Sequence, residues 1–340
     1  METPLLNTPV TDADDAPPVV VVGASLGGVD ALQQLAAALP ASFPSAVLVV
    51  QHTAPDGPGL LGEILSAAGP LPAALAVDGE PLRAGTIRIA PPDRHLVVRG
   101  GGLRLTRSAR ENRSRPSIDV LFRSAAVSHG SRVVGVVLTG LLHDGAAGLL
   151  AVQRCGGRTV VQAPGDAAHP GMPLSALAAL TPDHTVPLAA IGPLLQTLVQ
   201  MPTHASPPQP DDLVREDRLA DTGATSIAEA DAWGTHIALT CPECGGTLWE
   251  RADGPLLRYR CHTGHAFTAQ SLIAEQDESV EQALWAALRI LVERAAALDG
   301  LARTERASGR ASVAALYESR AAESHTHAQR LRDGFRTLAL

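Results

Sequence analysis

The chain has 340 residues, 45% of them hydrophobic, and a formal net charge of −8 at pH 7, which argues against nonspecific nucleic-acid binding. This length suggests two domains, or one large domain with an appendage. The sequence shows neither a signal peptide nor an apolar run long enough to span a bilayer, so we expect a cytoplasmic protein without membrane insertion.

The first predicted strand leads into a turn that carries Ser25. Before it, residues 1–17 are rich in Pro, Asp and Thr and predict a disordered N-terminus. Residues 19–22 are four valines, which is typical of a buried parallel strand, and residues 29–39 have helical spacing. Ser25 would then lie near a helix N-terminus, where free N–H groups favour negative charge. An acyl-transfer nucleophile needs that setting because its transition state carries an oxyanion.

Two later strands end near residues that could activate Ser25. The predicted strand 46–51 is followed by His52, and the apolar run 133–138 leads into a loop that contains Asp144. A serine nucleophile needs a base to take its proton and a third group to orient that base. Because sites form beyond the carboxyl ends of strands in open parallel sheets, we expect these three side chains to meet.

Other interpretations of the same residues remain open. The glycine-rich loop 23–28 could hold a phosphate, although it lacks G-x-G-x-x-G and a Walker lysine, and the chain contains no lysine. His52 could be a buried histidine at a strand end, and Asp144 could belong to a simple turn. The chain order Ser, His, Asp differs from the Ser, Asp, His order of α/β-hydrolases, so a generic esterase topology is not predicted.

Several collinear motifs between about residues 18 and 198 carry a resemblance to a known family. They are VGASLGG at 22–28, VVQH at 49–52, GEPLRAGT at 79–86, IAPPDRHL at 89–96, RPSIDVLF at 115–122, LTG at 138–140, DGAAG at 144–148 and GMP at 171–173. In these motifs the chain resembles the catalytic domain of CheB, the chemotaxis receptor methylesterase. The resemblance implies a doubly wound α/β domain that hydrolyses glutamate methyl esters on the cytoplasmic helices of chemoreceptors. It implies no cofactor for catalysis, and some members of the family also deamidate receptor glutamines.

The resemblance also assigns roles to individual residues. The family's serine, histidine and aspartate fall on Ser25, His52 and Asp144, which would be the nucleophile, the general base and the group that orients the base. The backbone N–H groups of Leu26 and Leu141 are expected to form the oxyanion hole.

The sequence departs from the family's pattern in two places. The family's loop reads Thr-Gly-Met-Gly, whereas residues 139–142 read TGLL, so Leu142 replaces a glycine and the loop has less backbone freedom. His143 is also next to Asp144, but adjacent residues tend to point apart, so His52 is preferred as the base.

The second departure concerns regulation. The family's enzyme usually has an N-terminal receiver domain; none is expected here, and a separate receiver or methyltransferase is a candidate regulatory partner.

A group of arginines precedes Pro116, at positions 107, 110, 113 and 115. We expect Arg113 and Arg115 to bind the substrate by contacting acidic residues of the receptor helices. The alternative is a solvated surface loop that has no role in binding.

The second half of the chain changes character near residue 200. Residues 201–235 are Pro-rich and then acidic, which predicts a linker between the methylesterase domain, 18–200, and a zinc-ribbon-like module, 236–268. That module has the spacing C-x2-C-x16-C-x3-H, which favours a metal site over disulfides in a cytoplasmic protein. The predicted ligands of a structural zinc ion are Cys241, Cys244, Cys261 and His265. His262 is a second choice, and a metal-free knuckle or a redox cysteine pair remains an alternative.

Residues 269–340 predict a helical hairpin, since apolar residues recur at spacings of three and four on both sides of Ser308-Gly309. The fold class expected for the whole chain is therefore a doubly wound, mostly parallel α/β domain with a zinc-ribbon-like knuckle and this hairpin. The expected function is that of a protein-glutamate methylesterase acting on chemoreceptor helices. A receptor-glutamine deamidase with the same three residues, or a weakly catalytic signalling adaptor, is the alternative.

Overall fold

A computed structural model of the chain describes residues 18–202, 205–223 and 226–337. The predicted disordered N-terminus, residues 1–17, lies outside the described residues. The chain divides into two units, Met1–Leu272 and Ile273–Leu340, each of which is described separately. No helix in the described ranges is both long enough and apolar enough to cross a membrane.

The strands of the first unit form three sheets. In chain order they are β1 Val19–Ala24, β2 Ala46–Gln51, β3 Ala73–Leu75, β4 Ile87–Ile89, β5 His95–Arg99, β6 Gly102–Thr106, β7 Val133–Val137, β8 Arg158–Gln162, β9 His184–Val186, β10 Thr235–Thr240, β11 Thr247–Asp253, β12 Leu256–Cys261 and β13 Ala266–Thr268. A seven-stranded parallel sheet has the order β3-β4-β2-β1-β7-β8-β9. Strands β5 and β6 form an antiparallel pair, and β10 to β13 form a four-stranded antiparallel sheet.

Helices alternate with strands through much of the first 200 residues, except that β3 to β6 follow one another without a helix between them. The helices of the described chain are α1 Gly28–Ala38, α2 Leu61–Ala68, α3 Ile118–His129, α4 Ala146–Arg154, α5 Gly171–Ala179, α6 Leu188–Leu198, α7 Asp211–Thr222, α8 Ile227–Trp233, α9 Ala269–Ala307 and α10 Ala311–Thr337. A short 3-10 turn, Gly130–Arg132, precedes β7.

Helices cover both faces of the parallel sheet because its central strands are apolar on both sides. Successive side chains of a strand point to opposite faces. Val19 and Val21 pack into the core that α3, α4 and α5 complete, whereas Val20 and Val22 pack into the core that α1, α2 and α6 complete. The predicted doubly wound α/β fold is confirmed, and β1 lies between β2 and β7 at the centre of the sheet.

The segment 201–235, for which the sequence predicts a linker, contains helices α7 and α8. Helix α7 packs against α3, and its Leu213 and Glu216 are buried. Helix α8 begins at a capping box formed by Ser226 and Glu229. The predicted boundaries near residues 200 and 236 do not divide the chain into separate compact units, because the acidic residues of α7 meet buried arginines rather than water.

A buried ion cluster joins α7 to the sheet domain and to the four-stranded sheet. It includes the guanidinium groups of Arg123, Arg258 and Arg260 and the carboxylates of Glu111, Glu216 and Asp253, and Asp253 also pairs with Arg251. Arg123 binds Glu111 through two hydrogen bonds of 3.0 and 2.7 Å and Glu216 through one of 3.1 Å. Arg258 pairs with Glu216 as well, and Arg260 lies 2.7 Å from Glu216 and 2.9 Å from Glu111.

The second unit is a pair of helices, as the sequence predicts. Gly309, with φ 75°, lies in the turn between α9 and α10. The buried residues on the facing sides are mostly alanine and include two series with a seven-residue spacing: Leu288, Ala295 and Ala302 on α9, and Ala314, Ala321 and Ala328, with Ser324 between the last two, on α10. A seven-residue spacing of this kind is typical of coiled-coil packing, and small residues let the two helices approach closely. Trp285 stacks on Phe335 with ring centroids 4.6 Å apart.

We predict that Glu216→Gln lowers the free energy of unfolding of the first unit by about 3–5 kcal/mol, because it leaves an excess of buried positive charge among three arginines. The matched control is Glu293→Gln, which breaks the exposed Arg289–Glu293 pair of α9 and should change stability by less than about 0.5 kcal/mol. Urea denaturation of the full chain measures both. Equal effects of the two substitutions would contradict a stabilising role for the cluster.

Candidate active site and metal centre

Ser25 lies in the tight turn between β1 and α1, half-buried at the carboxyl edge of the sheet. Its backbone is fixed by three hydrogen bonds: its N–H donates to the Thr139 carbonyl at 3.0 Å, and its carbonyl accepts from Gly28 N and Gln51 Nε2, both at 2.8 Å. A Cβ at Gly28 would lie 2.1 Å from Gln51 Oε1, so the helix can start this close to the neighbouring strand only with glycine.

The structure brings Ser25, His52 and Asp144 together in one hydrogen-bonded chain. Ser25 Oγ lies 3.2 Å from His52 Nδ1, and His52 Nε2 lies 2.8 Å from Asp144 Oδ2. His52 follows β2 and Asp144 follows β7, the two strands on either side of β1. An ionised carboxylate only accepts hydrogen bonds, so Asp144 places the imidazole proton on Nε2 and leaves the Nδ1 lone pair facing the serine hydroxyl.

The Asp144 carboxylate is buried and caps the N-terminus of α3. Burial raises its pKa, but the hydrogen bond and charge of His52, with donors from the α3 region, hold the pKa below its usual value. Those donors are Ile118 N at 2.7 Å, Ser117 Oγ at 2.9 Å, Asp119 N at 3.2 Å and Asn112 Nδ2 at 3.2 Å. Free N–H groups at a helix start favour a negative charge, so the fold keeps Asp144 ionised without exposing it to water.

A second buried carboxylate, Asp119, lies directly behind the first. Burial and the negative charge of Asp144 raise the pKa of Asp119 to about 8. Its oxygens accept hydrogen bonds from Gly145 N at 3.0 Å, Gly148 N at 2.6 Å and Asn112 Nδ2 at 2.7 Å. Asp119 thus fixes the loop that carries Asp144 to the start of α4.

Sequence reasoning missed the supporting residues Asn112, Ser117 and Asp119. A usable signal was present, since serine followed by an aspartate in the first turn is typical of a helix start. A helix start near residue 117 predicts free N–H groups there. It does not predict that Asp144 rather than Ser117 caps them.

The Leu26 and Leu141 backbones flank the serine on two different loops. Gly140 packs so closely on Ser25 that a Cβ there would lie 2.8 Å from the serine Cβ. The Gly140 N–H group donates a hydrogen bond to the His169 carbonyl at 2.9 Å, so it is not available to a substrate oxygen. The Leu26 and Leu141 side chains are about half exposed beside the serine. Their role as oxyanion-hole donors stays a prediction, and it is compatible with these positions.

Leu142 keeps the backbone conformation that a glycine would favour. Its φ is 65°, in the left-handed region, so the leucine is accommodated at a cost in backbone strain. The next residue, His143, points away from the serine, since its Nδ1 lies 2.6 Å from Ser175 Oγ. The structure therefore places His52, and not His143, against Ser25.

Arg113 and Arg115 lie beside the candidate active site. A cleft of about 230 Å³ next to His52 is lined by Arg110, Arg113 and Arg115. Arg115 is held internally, because it donates to Asp93 at 2.9 and 2.6 Å and to the Ser108 carbonyl at 2.7 Å. Its charge is thus largely compensated by Asp93, which the sequence pattern does not reveal.

The predicted metal ligands form one cluster. The ligand atoms of Cys241, Cys244, Cys261 and His265 all lie within 4.8 Å of one another, and Cys244 Sγ is 3.8 Å from Cys261 Sγ. For Zn–S bonds of about 2.3 Å, the edge of a tetrahedron is about 3.8 Å. The cluster could therefore hold a metal ion with four protein ligands.

Neighbouring residues orient the cluster. His265 Nδ1 lies 3.5 Å from Cys261 Sγ, and its other ring nitrogen, Nε2, lies 3.3 Å from the carboxylate of Glu243. Carboxylates commonly orient metal-bound histidines in this way. His262, the second choice from sequence, is not in the cluster; its ring lies edge-on to Trp249 with centroids 6.4 Å apart.

The four-stranded sheet has a small apolar core beneath the cluster, which includes Leu248, Tyr259 and Phe267. The two arginines that flank Tyr259 on β12 face the opposite way and enter the buried ion cluster. Trp249 also faces away from this core and donates to Asp231 of α8 at 2.8 Å. One side of the sheet thus supports the metal cluster and the other attaches it to the rest of the unit.

A hydrogen-bonded Ser-His-Asp chain at the carboxyl edge of a doubly wound sheet is the arrangement of hydrolases that use a serine nucleophile. The family model described as CheB methylesterase matches residues 20–195, about half of the chain. The chain belongs to the CheB methylesterase family.

Curated relatives share this region with the chain. Protein-glutamate methylesterase/protein-glutamine glutaminase 3 of Anaeromyxobacter dehalogenans is 46% identical over 163 residues, which cover 47% of this chain and 48% of the relative. Protein-glutamate methylesterase/protein-glutamine glutaminase 4 of Myxococcus xanthus is 45% identical over 158 residues, which cover 46% of this chain and 45% of the relative. The chain thus matches about half the length of these relatives.

A solved structure matches the same part of the fold. The crystal structure of the Thermotoga maritima CheB methylesterase catalytic domain aligns with a TM-score of 0.52 and 32% sequence identity. The alignment covers 54% of this chain and 99% of the Thermotoga domain. The alignment leaves nearly half of this chain unmatched.

We predict that Leu142→Gly leaves the fold unchanged. The free energy of unfolding should stay the same or increase by up to about 1 kcal/mol. Relief of left-handed strain, about 1–2 kcal/mol, exceeds the entropy cost of glycine, about 0.5–1 kcal/mol. Leu141→Gly is the matched control, because this neighbour is equally exposed but has no positive φ, and it should lose about 0.5–1 kcal/mol. Thermal and urea denaturation measure both. Equal destabilisation by the two substitutions would show that Leu142 is not strained.

Proposed function

We propose that this chain is a protein-glutamate methylesterase that hydrolyses glutamate methyl esters on the cytoplasmic helices of chemoreceptors. The observation that carries the proposal is the hydrogen-bonded chain of Ser25, His52 and Asp144 within the family-matched segment. The names of the curated relatives support the same activity. Receptor helices of this kind lie in the cytoplasm, which is where we place this protein.

The proposed reaction uses the three residues in two half-reactions. Ser25 Oγ attacks the ester carbonyl while His52 Nδ1 takes the hydroxyl proton, and the tetrahedral intermediate then expels methoxide, which leaves as methanol with that proton. Water next attacks the acyl-serine, giving its proton to His52, and the serine leaves with the proton returned. Asp144 stabilises the imidazolium in both halves because its carboxylate stays ionised in the buried site.

The N–H groups of Leu26 and Leu141 are the proposed donors to the oxyanion. A preorganised donor of this kind typically contributes about 3 kcal/mol to the transition state. Leu26 lies two residues before α1, so the dipole of that helix adds to the effect of its N–H group. On the other side of the serine, the tight packing of Gly140 on Ser25 holds the Leu141 backbone close to the reacting carbonyl.

Substrate binding is proposed for the arginine-lined cleft beside His52. Arg113 and Arg115 both line this cleft, and Arg115 is bound to Asp93, so its main effect would be to shape the cleft. A guanidinium group in this place would contact carboxylates that neighbour the methylated glutamate on the receptor helix. Such contacts would affect turnover of receptor more than turnover of a small ester.

A second activity, deamidation of receptor glutamines, is favoured by the names of the relatives, which combine methylesterase and glutaminase. The same three residues would act, with ammonia in place of methanol as the leaving group. The alternative of a weakly catalytic adaptor predicts binding to receptors with little release of either product.

We predict that the full chain releases methanol from a methylated receptor cytoplasmic fragment and that Ser25→Ala lowers the rate more than about 1,000-fold, because the nucleophile is lost. Ser66→Ala, at a serine that bonds only the Ala73 backbone, is the control and should keep the rate. Ammonia release from an unmethylated fragment is followed in parallel and reports deamidation. Release of neither product by folded wild-type protein, on several receptors, would favour the adaptor.

We also propose that the metal held by Cys241, Cys244, Cys261 and His265 is a structural zinc ion. Three thiolates and one imidazole suit zinc, and four protein ligands leave no position for a substrate. The two turns that carry the ligands are alike, since Gly245 and Gly264 each have a positive φ and donate to the carbonyl of the first cysteine of the turn. This similarity supports a site shaped for one ion.

We predict that purified full-length protein contains about one zinc ion per chain and that Cys244→Ser lowers the zinc content severalfold, because one of four ligands is weakened. Cys155→Ala is the control, since Cys155 is buried in the core of the parallel sheet and lies outside the cluster. Inductively coupled plasma mass spectrometry measures the content. A wild-type content far below one zinc per chain, after growth with zinc, would contradict the proposal.

A further inference from the structure

Asn112 links the candidate active site to the C-terminal part of the first unit. It is buried, with a φ of 49° that asparagine tolerates better than most residues. Its Nδ2 donates to Asp144 Oδ1 at 3.2 Å and to Asp119 Oδ2 at 2.7 Å. On the other side, its Oδ1 accepts from Thr268 N at 3.0 Å and from Ser271 Oγ at 2.9 Å.

These four hydrogen bonds use the full capacity of the side-chain amide, two donors and two lone pairs. The ionised Asp144 carboxylate can only accept a hydrogen bond, so it faces the amide NH2 group, and the Thr268 N–H group can only donate, so it faces the amide oxygen; the orientation of the amide is therefore fixed from both sides. A group held this way transmits the position of one partner to the other, because moving either would leave a buried polar atom unpaired.

The partners on the C-terminal side belong to a rigid helix start. Thr268 is the last residue of β13 and immediately precedes α9, and its Oγ1 accepts from Ser271 N at 3.2 Å while its own N–H lies 2.8 Å from Ser271 Oγ. This reciprocal pair is a capping box with serine in the third helical position. Strand β13 directly follows His265, and the Ala266 carbonyl accepts from Asn112 N at 2.8 Å.

The neighbouring residue reinforces the same connection. Glu111 lies in the buried ion cluster, where it pairs with Arg123 of α3 and Arg260 of β12. Two consecutive residues of one loop thus tie the sheet that carries the cysteine cluster to α3, whose N-terminus holds Asp144.

We infer that Asn112 is a positioning residue for Asp144 and that the β13–α9 junction, through Thr268 and Ser271, holds it in place. The inference rests on the proposed role of Asp144 in orienting His52. On this view the C-terminal module is part of the support of the active site. The reacting groups stay on the parallel sheet, and the geometry of the base-orienting carboxylate depends on residues more than 120 positions away in sequence.

The test compares Asn112→Ala and Ser271→Ala with Ser45→Ala in the full chain. Ser45 is a matched control, because it is an equally buried serine whose hydroxyl bonds only backbone carbonyls, of Pro18 and Ala46, remote from Asp144. Two readouts are used: methanol release from a methylated receptor fragment, resolved into kcat and KM, and the rate at which a fluorophosphonate probe labels Ser25. The second readout reports activation of the serine without depending on the substrate.

We expect Asn112→Ala to lower kcat about 10–100-fold and Ser271→Ala severalfold, with KM within about twofold, since a displaced catalytic group slows chemistry without touching substrate. Labelling should slow in the same order, and Ser45→Ala should keep wild-type values. Ser271→Ala decides the matter if Asn112→Ala fails to fold. Rates within twofold of wild type for folded variants, or a change in KM alone, would overturn the inference.

The two readouts separate this inference from the proposed function. If wild type releases no methanol but labels at Ser25, and labelling slows in both variants but not in Ser45→Ala, the proposed substrate is wrong and the positioning role stands. If wild type releases methanol and both variants match it, the methylesterase assignment stands and the positioning role is wrong.

Discussion

The chemistry of this site depends on one buried negative charge, the carboxylate of Asp144. A buried carboxylate is costly unless donors surround it, and here the start of α3 supplies two backbone N–H groups while Ser117 and Asn112 supply two more donors. These donors keep Asp144 ionised, so its carboxylate can hold the imidazole of the proposed base, His52, against Ser25. Asp119 lies directly behind Asp144, and a second buried carboxyl group there raises the electrostatic cost of ionising Asp144. Hydrogen bonds from backbone N–H groups at the start of α4 to Asp119 offset this cost.

The central sheet and the meeting of the three candidate catalytic residues could be predicted from sequence because both follow from local pattern. Four consecutive valines are compatible with a strand that is covered on both faces, and a parallel sheet aligns its carboxyl ends. Ser25, His52 and Asp144 each follow such a strand, so no knowledge of distant contacts was needed to bring them together. The cysteine and histidine spacing is equally local, since each pair of ligands lies in one short turn.

The parts that sequence reasoning could not reach depend on contacts between distant segments. Arg258 and Arg260 alternate with Tyr259 along β12, a pattern that normally indicates one apolar and one solvated face. Here the polar face is buried, because Glu111 and Glu216 arrive from loops and helices far away in the chain. The acidic segment around Glu216 looks like a linker for the same reason: its charges are compensated only in three dimensions. At Leu142 the reason is local: the loop imposes a left-handed backbone conformation, which a leucine residue does not favour.

The ion pairs of the buried cluster and the hydrogen bonds of Asn112 have a common consequence for how this unit is built. Neither set of interactions is complete within the family-matched segment, because both need partners that follow residue 200. A buried pair that loses one member leaves an uncompensated charge, and a buried amide that loses its partners leaves unpaired atoms. Residues 201–272 therefore supply stability to the parallel-sheet domain rather than merely following it.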